Sequence, residues 1–151
     1  MKINKVALLI AFAITSVLFL EVVAHADEAD QSIKITFSQP TEIPGQILPA
    51  GTYLFKLAGP NSLNLVRIFN SDGTRLYATL QTNSAERSKP IGDTVLVLAV
   101  QPEGRPETLV RWFYPGSTSG HELLYSKQEE QQLAQAQLQT ITAKETPEAG
   151  D

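Results

Sequence analysis

Few residues of this chain have the types and spacing that nucleophilic or acid–base chemistry needs. The best candidate is His121, which stands in Gly120-His121-Glu122 with Ser117 and Ser119 close by in the sequence. A histidine beside a serine can act as a general base, but no Gly-x-Ser-x-Gly turn holds either serine in the pose of a nucleophile. We therefore expect His121 to be a solvated loop residue rather than a catalyst.

Two glutamates offer a second candidate for catalysis. Glu107 and Glu122 stand at the starts of two late strand-like segments, and a glycosidase needs two carboxylates about 5 to 9 Å apart. Many other pairs of acidic residues in the chain meet so loose a criterion. A secreted hydrolase that uses Glu107 and Glu122, or His121, is therefore the alternative interpretation, and a non-enzyme is the expectation.

Metal and redox chemistry lack ligands in this sequence. The absence of cysteine excludes disulfides, zinc–thiolate sites and a thiol nucleophile. A zinc site would need further nitrogen ligands, and the only histidines are His25 and His121. A calcium site needs clustered oxygens, of which Asn70 and Asp72 offer too few. We expect neither a metal nor a cofactor.

Aromatic side chains are the remaining candidates for binding. Trp112 and Tyr114 are two residues apart on one strand-like segment, so their side chains point the same way. If that face is buried, they are core rings. If it is exposed, they form a platform for a sugar or for an apolar patch of a partner. Together with His121 and Tyr125 they are the predicted ligand-binding residues.

The composition limits both the fold and the partners. The 151 residues carry 12 Lys and Arg against 16 Asp and Glu, which gives a net charge of −4. Proteins that bind DNA or RNA backbones need a basic stripe to displace counterions, so nucleic acid is not an expected partner. With 42% hydrophobic residues, a chain of this length supports one modest core.

The first 26 residues have the pattern of a secretory signal peptide. Two lysines precede a fifteen-residue apolar run, Val6 to Leu20, which is shorter than the ~20 residues of a membrane-spanning helix. Ala24 and Ala26 have the spacing that signal peptidase cleaves. Cleavage is expected after Ala26, which leaves a periplasmic or extracellular protein without a membrane span. An uncleaved anchor is the alternative.

Residues 27–127 are predicted to form one β domain. Runs rich in Val, Ile, Thr and aromatic residues alternate with Pro, Gly, Asn and Asp, and no helical period persists. The pattern predicts an all-β fold, a single antiparallel β-sandwich or small barrel of seven to eight strands. The predicted strands are Ile33–Phe37, Thr52–Ala58, Leu63–Asn70, Thr74–Thr82, Thr94–Gln101, Glu107–Tyr114 and Glu122–Ser126, with a short extended piece at Gln46–Leu48.

One hairpin has a predictable register. We expect Asn70 to open a type I turn and Gly73 to take the left-handed bulge position. Ile68 then pairs with Leu76, which places the apolar side chains of both strands on one face. A slip of one residue would turn all of them to water.

Two later strands have predictable faces. Residues 95–100 are apolar without alternation, which is typical of a strand in the middle of a sheet and covered on both faces. In the next strand, Val110, Trp112 and Tyr114 are predicted to face the core, because Arg111 interrupts the opposite face.

The last segment, residues 128–151, differs in composition. Six of the 12 residues from Gln128 to Gln139 are glutamine, and the end of the chain is rich in Pro and Glu. A short solvated helix or a disordered tail is expected. The alternative is a docking segment that orders on a partner.

Three motifs in residues 37–127 are specific as a set. They are IPG…LPAGTY at 43–53, IFN-x-DGTRLYAT at 68–79 and WFYPG at 112–116. Together they resemble an uncharacterised family of small secreted bacterial proteins. The resemblance implies a β-rich exported domain without an assigned activity, and the glutamine-rich segment lies outside it.

The sequence thus predicts a non-catalytic exported module of the cell envelope that acts by binding or as a structural part. The sequence does not identify the partner, for which a glycan and an envelope protein are the candidates. The hydrolase described above and partner docking through residues 128–151 are the alternatives.

Overall fold

The computed structural model describes residues 31–102 and 104–143. The signal peptide predicted for residues 1–26, with its cleavage after Ala26, lies outside the described residues. Within them, no helix is long and apolar enough to cross a membrane.

The described part of the chain is mostly β-structure, as the sequence predicts. It contains ten strands and one short helix; the strands at 41–43 and 138–143 are absent from the prediction. The elements are β1 (Ser32–Phe37), β2 (Thr41–Ile43), β3 (Gln46–Leu48), β4 (Gly51–Leu57), β5 (Leu65–Asn70), β6 (Leu76–Glu86), β7 (Thr94–Ala99), β8 (Glu107–Phe113), β9 (Ser119–Leu123), α1 (Lys127–Gln135) and β10 (Leu138–Ala143).

The ten described strands belong to one open, mixed sheet. The main path runs β1-β4-β5-β6-β9-β8-β2-β3, and β7 branches from β8 and carries β10 on its other edge. Neighbours are antiparallel except β2 and β8, which are parallel. The prediction is therefore wrong on three points, which are a closed barrel, a purely antiparallel sheet and a count of seven to eight strands. The very short β2 offers too few residues for an alternating pattern to show.

The sheet folds over on itself along β6. This strand pairs with β5 through residues 76–81 and with β9 through residues 82–86. In a flat sheet, β4 and β8 would be four strand spacings apart, ~19 Å. The ring centroids of Phe55 and Trp112, one from each strand, are nevertheless 5.3 Å apart. The two parts of the sheet face each other in a sandwich-like arrangement.

We call the two parts the first and the second half-sheet. The first half-sheet contains β1, β4, β5 and residues 76–81 of β6, and the second contains the other strands and residues 82–86. Alternate residues of the regular strands, such as β1, β4 and β5, point into the space between the half-sheets, where apolar burial stabilises the fold by about 1.5–3 kcal/mol per large side chain. The most deeply buried large side chains include Ile33, Ile35, Phe55, Ile68, Leu96, Leu109 and Trp112.

The hairpin between β5 and β6 confirms the turn and corrects the register. Gly73 has φ +71°, and its N–H donates to the carbonyl of Asn70 at 2.9 Å. The predicted pairing of Ile68 with Leu76 is wrong, because Ile68 lies opposite Ala78 and Leu76 is 51% exposed. The Asn70 side chain accepts from the N–H groups of Thr74 and Arg75, which prolongs the turn and delays regular pairing.

Strands β7 and β8 confirm one prediction and correct another. All six residues of β7 are buried, and β7 has a neighbour on each edge, as the unbroken apolar run predicts. In β8, Val97 pairs with Arg111 but Leu98 pairs with Leu109, so Val110 is an extra, bulged residue. Consequently Leu109 is 0% exposed in the core, whereas Val110 is only half-buried. The prediction that Val110 shares the core face of Trp112 is wrong.

The segment after residue 127 combines a helix with a strand. Helix α1 begins after Ser126, whose side chain and that of Glu129 form a capping box. The expectation of a helix or a disordered tail is wrong for residues 138–143, because β10 pairs with β7 from Leu138 opposite Ala99 to Ala143 opposite Thr94. This segment reads LQTITA, with β-branched residues that favour a strand.

Candidate functional site

The predicted ligand-binding residues Trp112, Tyr114 and His121 form a buried cluster. They are 0%, 7% and 8% exposed, respectively. An aromatic platform on the surface is therefore not what these residues build, and the expectation of a solvated His121 is wrong. The cause is the pairing of β8 with β9, which sets Trp112 directly opposite His121 on the core side of the second half-sheet.

Ring contacts hold His121 on two sides. Its ring is stacked on Trp112 at 5.0 Å and meets Tyr114 edge-on at 5.6 Å. The hydroxyl of Thr82 lies 3.0 Å from Nδ1 of His121. Burial lowers the pKa of His121, because the low-dielectric surroundings penalise the imidazolium. The neutral ring is therefore the form that this site stabilises.

The two tyrosines are held in their protonated forms. Burial raises the pKa of Tyr114 to about 12, although the Trp112 side chain lowers it. The hydroxyl of Tyr125 donates to the carbonyl of Leu109 at 2.6 Å. Its pKa is raised first by burial and then by the carboxylates of Glu42 and Glu129. Both neutral phenols pack in the interior, and that of Tyr125 donates a hydrogen bond.

The candidate catalytic groups are not brought together. Glu122 forms an ion pair with Arg111, whose Nε lies 3.0 Å from Oε2. Glu107 lies opposite Thr41 at the other end of β8, four residues and ~13 Å along the strand from Arg111. The hydroxyls of Ser117 and Ser119 are 3.1 Å from each other. Among the described residues, no group of three or more His, Asp or Glu could hold a metal ion.

A cleft of about 620 Å³ lies beside the middle of β6, where the strand passes from β5 to β9. We call it the β6 cleft. Its volume falls within the range of small-molecule sites. None of its lining residues carries a charge. They are Pro60, Asn61, Ser62, Leu63, Asn64, Leu65, Gln81, Thr82 and Leu124.

Backbone hydrogen bonds fix the wall of the β6 cleft. In the loop between β4 and β5, the N–H of Ser62 donates to Gly59 at 3.0 Å and that of Leu65 to Ser62 at 3.1 Å. The N–H of Thr82 donates to the carbonyl of Asn64 at 2.8 Å and so joins this loop to β6. These backbone hydrogen bonds hold the loop against β6.

The side chains at the β6 cleft suit an uncharged polar ligand. Asn61, Asn64 and Gln81 are exposed amides, each of which can both donate and accept hydrogen bonds. Leu63 is 53% exposed beside them and offers an apolar contact. Thr82 connects the cleft to the buried cluster through His121.

The β6 cleft is not predicted by the sequence, where Asn64 and Gln81 fall within the predicted strands Leu63–Asn70 and Thr74–Thr82 and carry no functional signal. These amides follow no motif, and residues 64 and 81 meet only through the pairing of β5 with β6. That Leu63 is exposed is known only from the structure, and a single exposed leucine is common on protein surfaces.

A second groove, of about 480 Å³, separates α1 from the second half-sheet. Tyr125 lies at this groove together with Val110, Leu133 and Leu138, and no residue of α1 is buried. The predicted ligand-binding residue Tyr125 is thus apart from the β6 cleft.

Comparison of the chain with protein-family models, with curated proteins and with solved structures finds no match.

Proposed function

We propose that this protein is an exported, non-catalytic β-sandwich module of the cell envelope, and that it binds an uncharged glycan in the β6 cleft. The observation that carries the proposal is the lining of the cleft, which combines three exposed amides with hydroxyl and aliphatic groups and contains no charged side chain. Neutral sugars present hydroxyl groups that pair with amides, and apolar C–H faces that pack against a side chain such as Leu63.

Export is proposed from the sequence. Residues 1–26 have the pattern of a signal peptide, and the resemblance of the three motifs to small secreted bacterial proteins supports the same location. A periplasmic or extracellular protein meets glycans of the envelope directly.

The distribution of acidic and basic groups supports binding over hydrolysis. Glu122 is paired with Arg111, and Glu107 is ~13 Å farther along β8. His121 is buried against Trp112 and Thr82, so the scissile bond of a substrate cannot reach its ring. A hydrolase would need two of these groups beside the cleft, and none of them lines it.

Titration with a panel of neutral oligosaccharides tests the proposal. Trp112 is the only tryptophan, and it is linked to the cleft through His121 and Thr82. A ligand that shifts Thr82 is expected to change the fluorescence of Trp112 in a saturable manner, with a matching heat of binding by calorimetry.

Variants of the amides locate the site. Loss of one hydrogen bond costs about 0.5–1.5 kcal/mol, so Asn64→Ala and Gln81→Ala should each weaken binding by roughly 3- to 10-fold. Asn83→Ala is the matched control, because Asn83 is an exposed amide of the same strand outside the cleft. Absence of binding across the panel, or equal losses in Asn64→Ala and Asn83→Ala, would contradict the proposal.

A further inference from the structure

Charged residues are segregated between the two half-sheets. The strand residues of the first half-sheet include Lys34, Lys56 and Arg67 but no Asp or Glu. The strands of the second half-sheet carry four glutamates, and Arg111 is their one basic residue. In a chain with a net charge of −4, one side is therefore basic. The glutamates of the second half-sheet are Glu42, Glu86, Glu107 and Glu122.

The basic residues share one surface. Their neighbours along each strand, such as Ile33, Phe55 and Ile68, point into the core, so Lys34, Lys56 and Arg67 point outward. The register sets Lys56 directly opposite Arg67. Along the chain, each of the three cations has a buried residue on both sides.

Apolar side chains accompany the cations on this surface. Leu54 lies opposite Phe69 and Lys34 lies opposite Leu54, while Phe69 lies opposite Leu76. These residues form a cross-strand row beside the pair of cations, and Leu76 at its end is 51% exposed. We call this outer surface of the first half-sheet the basic face. It consists of Lys34, Leu54, Lys56, Arg67, Phe69 and Leu76.

The basic face is not arranged for stability. Like charges directly opposite each other on neighbouring strands destabilise a sheet, and Lys56 and Arg67 are such a pair. The side-chain ion pairs seen in the described residues use Arg105 and Arg111 instead, so no described carboxylate lies within salt-bridge distance of Lys56 or Arg67. The exposed Leu76 ends the cross-strand row beside this pair.

We propose that the basic face docks on an anionic membrane surface, with Lys56 and Arg67 at the lipid phosphates and Leu76 in the interface. Basic side chains are attracted to anionic lipids, and apolar side chains among them add binding energy in the headgroup region. The glutamates of the second half-sheet then face away from the membrane. A nucleic-acid backbone offers no apolar layer to the row of Leu54, Phe69 and Leu76, whereas the headgroup region of a membrane does. This inference is independent of the β6 cleft.

Vesicle sedimentation tests the inference. The protein is expressed from its full sequence and purified as the host cell processes it. Mass spectrometry identifies its N-terminus. Partition is measured onto phosphatidylcholine vesicles with and without phosphatidylglycerol. Partition should be stronger with phosphatidylglycerol and should weaken as salt is added. Because all variants share one N-terminus, ratios between variants isolate the contribution of the basic face.

Two pairs of variants define the result. The double variant Lys56→Gln, Arg67→Gln should lose about 25-fold in partition, at about 1 kcal/mol for each basic side chain near the surface. It should fold, because it removes a repulsive pair. Lys89→Gln with Lys127→Gln is the control, since both lysines are exposed and lie outside the basic face. This control makes the same change in net charge.

The apolar variants separate a membrane from a soluble polyanion. Leu76→Ser should weaken vesicle binding, whereas Ile47→Ser, which alters an equally exposed residue of β3 (53%), should not. Equal partition onto both kinds of vesicle would overturn the inference, and so would equal losses in the two charge variants. Dextran sulfate is the polyanion probe. If it binds through Lys56 and Arg67 while Leu76→Ser leaves vesicle binding unchanged, the face binds a polyanion chain instead and the membrane inference is wrong.

Discussion

The bulge in β8 makes opposite predictions for two adjacent residues. Regular alternation would place Val110 in the core beside Trp112 and leave Leu109 on the opposite face. In the structure the extra residue is Val110, so Leu109 is fully buried and Val110 is half-exposed. Truncation of each side chain to alanine therefore measures which of the two faces the core.

The expected losses of stability are well separated. A fully buried leucine costs about 2.7–5.0 kcal/mol when truncated to alanine, because a cavity adds to the lost transfer energy. For Leu109→Ala we expect about 3 kcal/mol, which lowers the melting temperature by roughly 10 °C or more. Val110→Ala removes less apolar surface from a half-exposed position and should cost less than about 1 kcal/mol.

Urea unfolding followed by Trp112 fluorescence gives both values. If Leu109→Ala unfolds the domain, Leu109→Val supplies a milder test, with an expected loss of about 1 kcal/mol. The slope of the free energy against urea should stay constant, which shows that only stability has changed. If Val110→Ala costs more than Leu109→Ala, the bulge is elsewhere and the reasoning about β8 fails.

Two further predictions concern β9. Gly120 lies opposite Phe113, and a Cβ there would be 2.7 Å from Cδ1 of Phe113 and closer still to the carbonyl of Trp112. Gly120→Ala should lower the free energy of unfolding in urea by about 3 kcal/mol. Gly92→Ala is the control, because nothing lies within 4 Å of a Cβ at that position. Similar losses of stability in the two variants would refute the packing argument. Burial lowers the pKa of His121 below its usual 6.5. As the pH falls below 6.5, His121 is therefore protonated in the unfolded chain before it is protonated in the folded protein. The free energy of unfolding then declines until the pH reaches the lower pKa of the folded state. Thermal melts at several pH values should show a weaker decline in His121→Gln; an unchanged decline would assign it to other groups.

Turn chemistry was the part of the fold most accessible from the sequence. Gly73 adopts the predicted left-handed conformation because a residue without Cβ is favoured there. The prediction of which side chains face the core was wrong where a bulge added a residue to a strand. Alternation describes a regular strand, and neither Val110 nor Leu76 differs in type from an inward-facing residue. Only the partner strand shows that the register has shifted.

The prediction for residues 138–143, which form β10, was wrong for a different reason. The glutamine-rich composition that precedes it favours a helix, and α1 does form there. The pairing partner of β10 is β7, some forty residues earlier in the chain. The residues next to β10 in the sequence therefore do not indicate this pairing. Removal of β10 would expose the backbone edge of β7, so residues 138–143 are part of the fold. An open edge of this kind invites pairing with other chains.

The candidate site was out of reach because it depends on topology. The residue types that sequence reasoning favours for chemistry, such as His121 and Trp112, are buried here, where their rings contribute to the core. The residues at the β6 cleft are ordinary amides, and they become a site only because β5 and β6 pair.

The basic face and the β6 cleft adjoin each other on β5. Arg67 belongs to the basic face and Leu65 lines the cleft, and both point to the same side of the sheet, since they are two residues and ~7 Å apart on one strand. A protein docked through Lys56 and Arg67 would hold the cleft close to the headgroups. A glycan anchored in the same membrane would then meet the cleft at a raised effective concentration, so weak binding in the cleft would suffice. Soluble oligosaccharides should accordingly bind less tightly than the same sugars displayed on anionic vesicles, and Lys56→Gln with Arg67→Gln should remove that difference without changing the affinity for the soluble sugar.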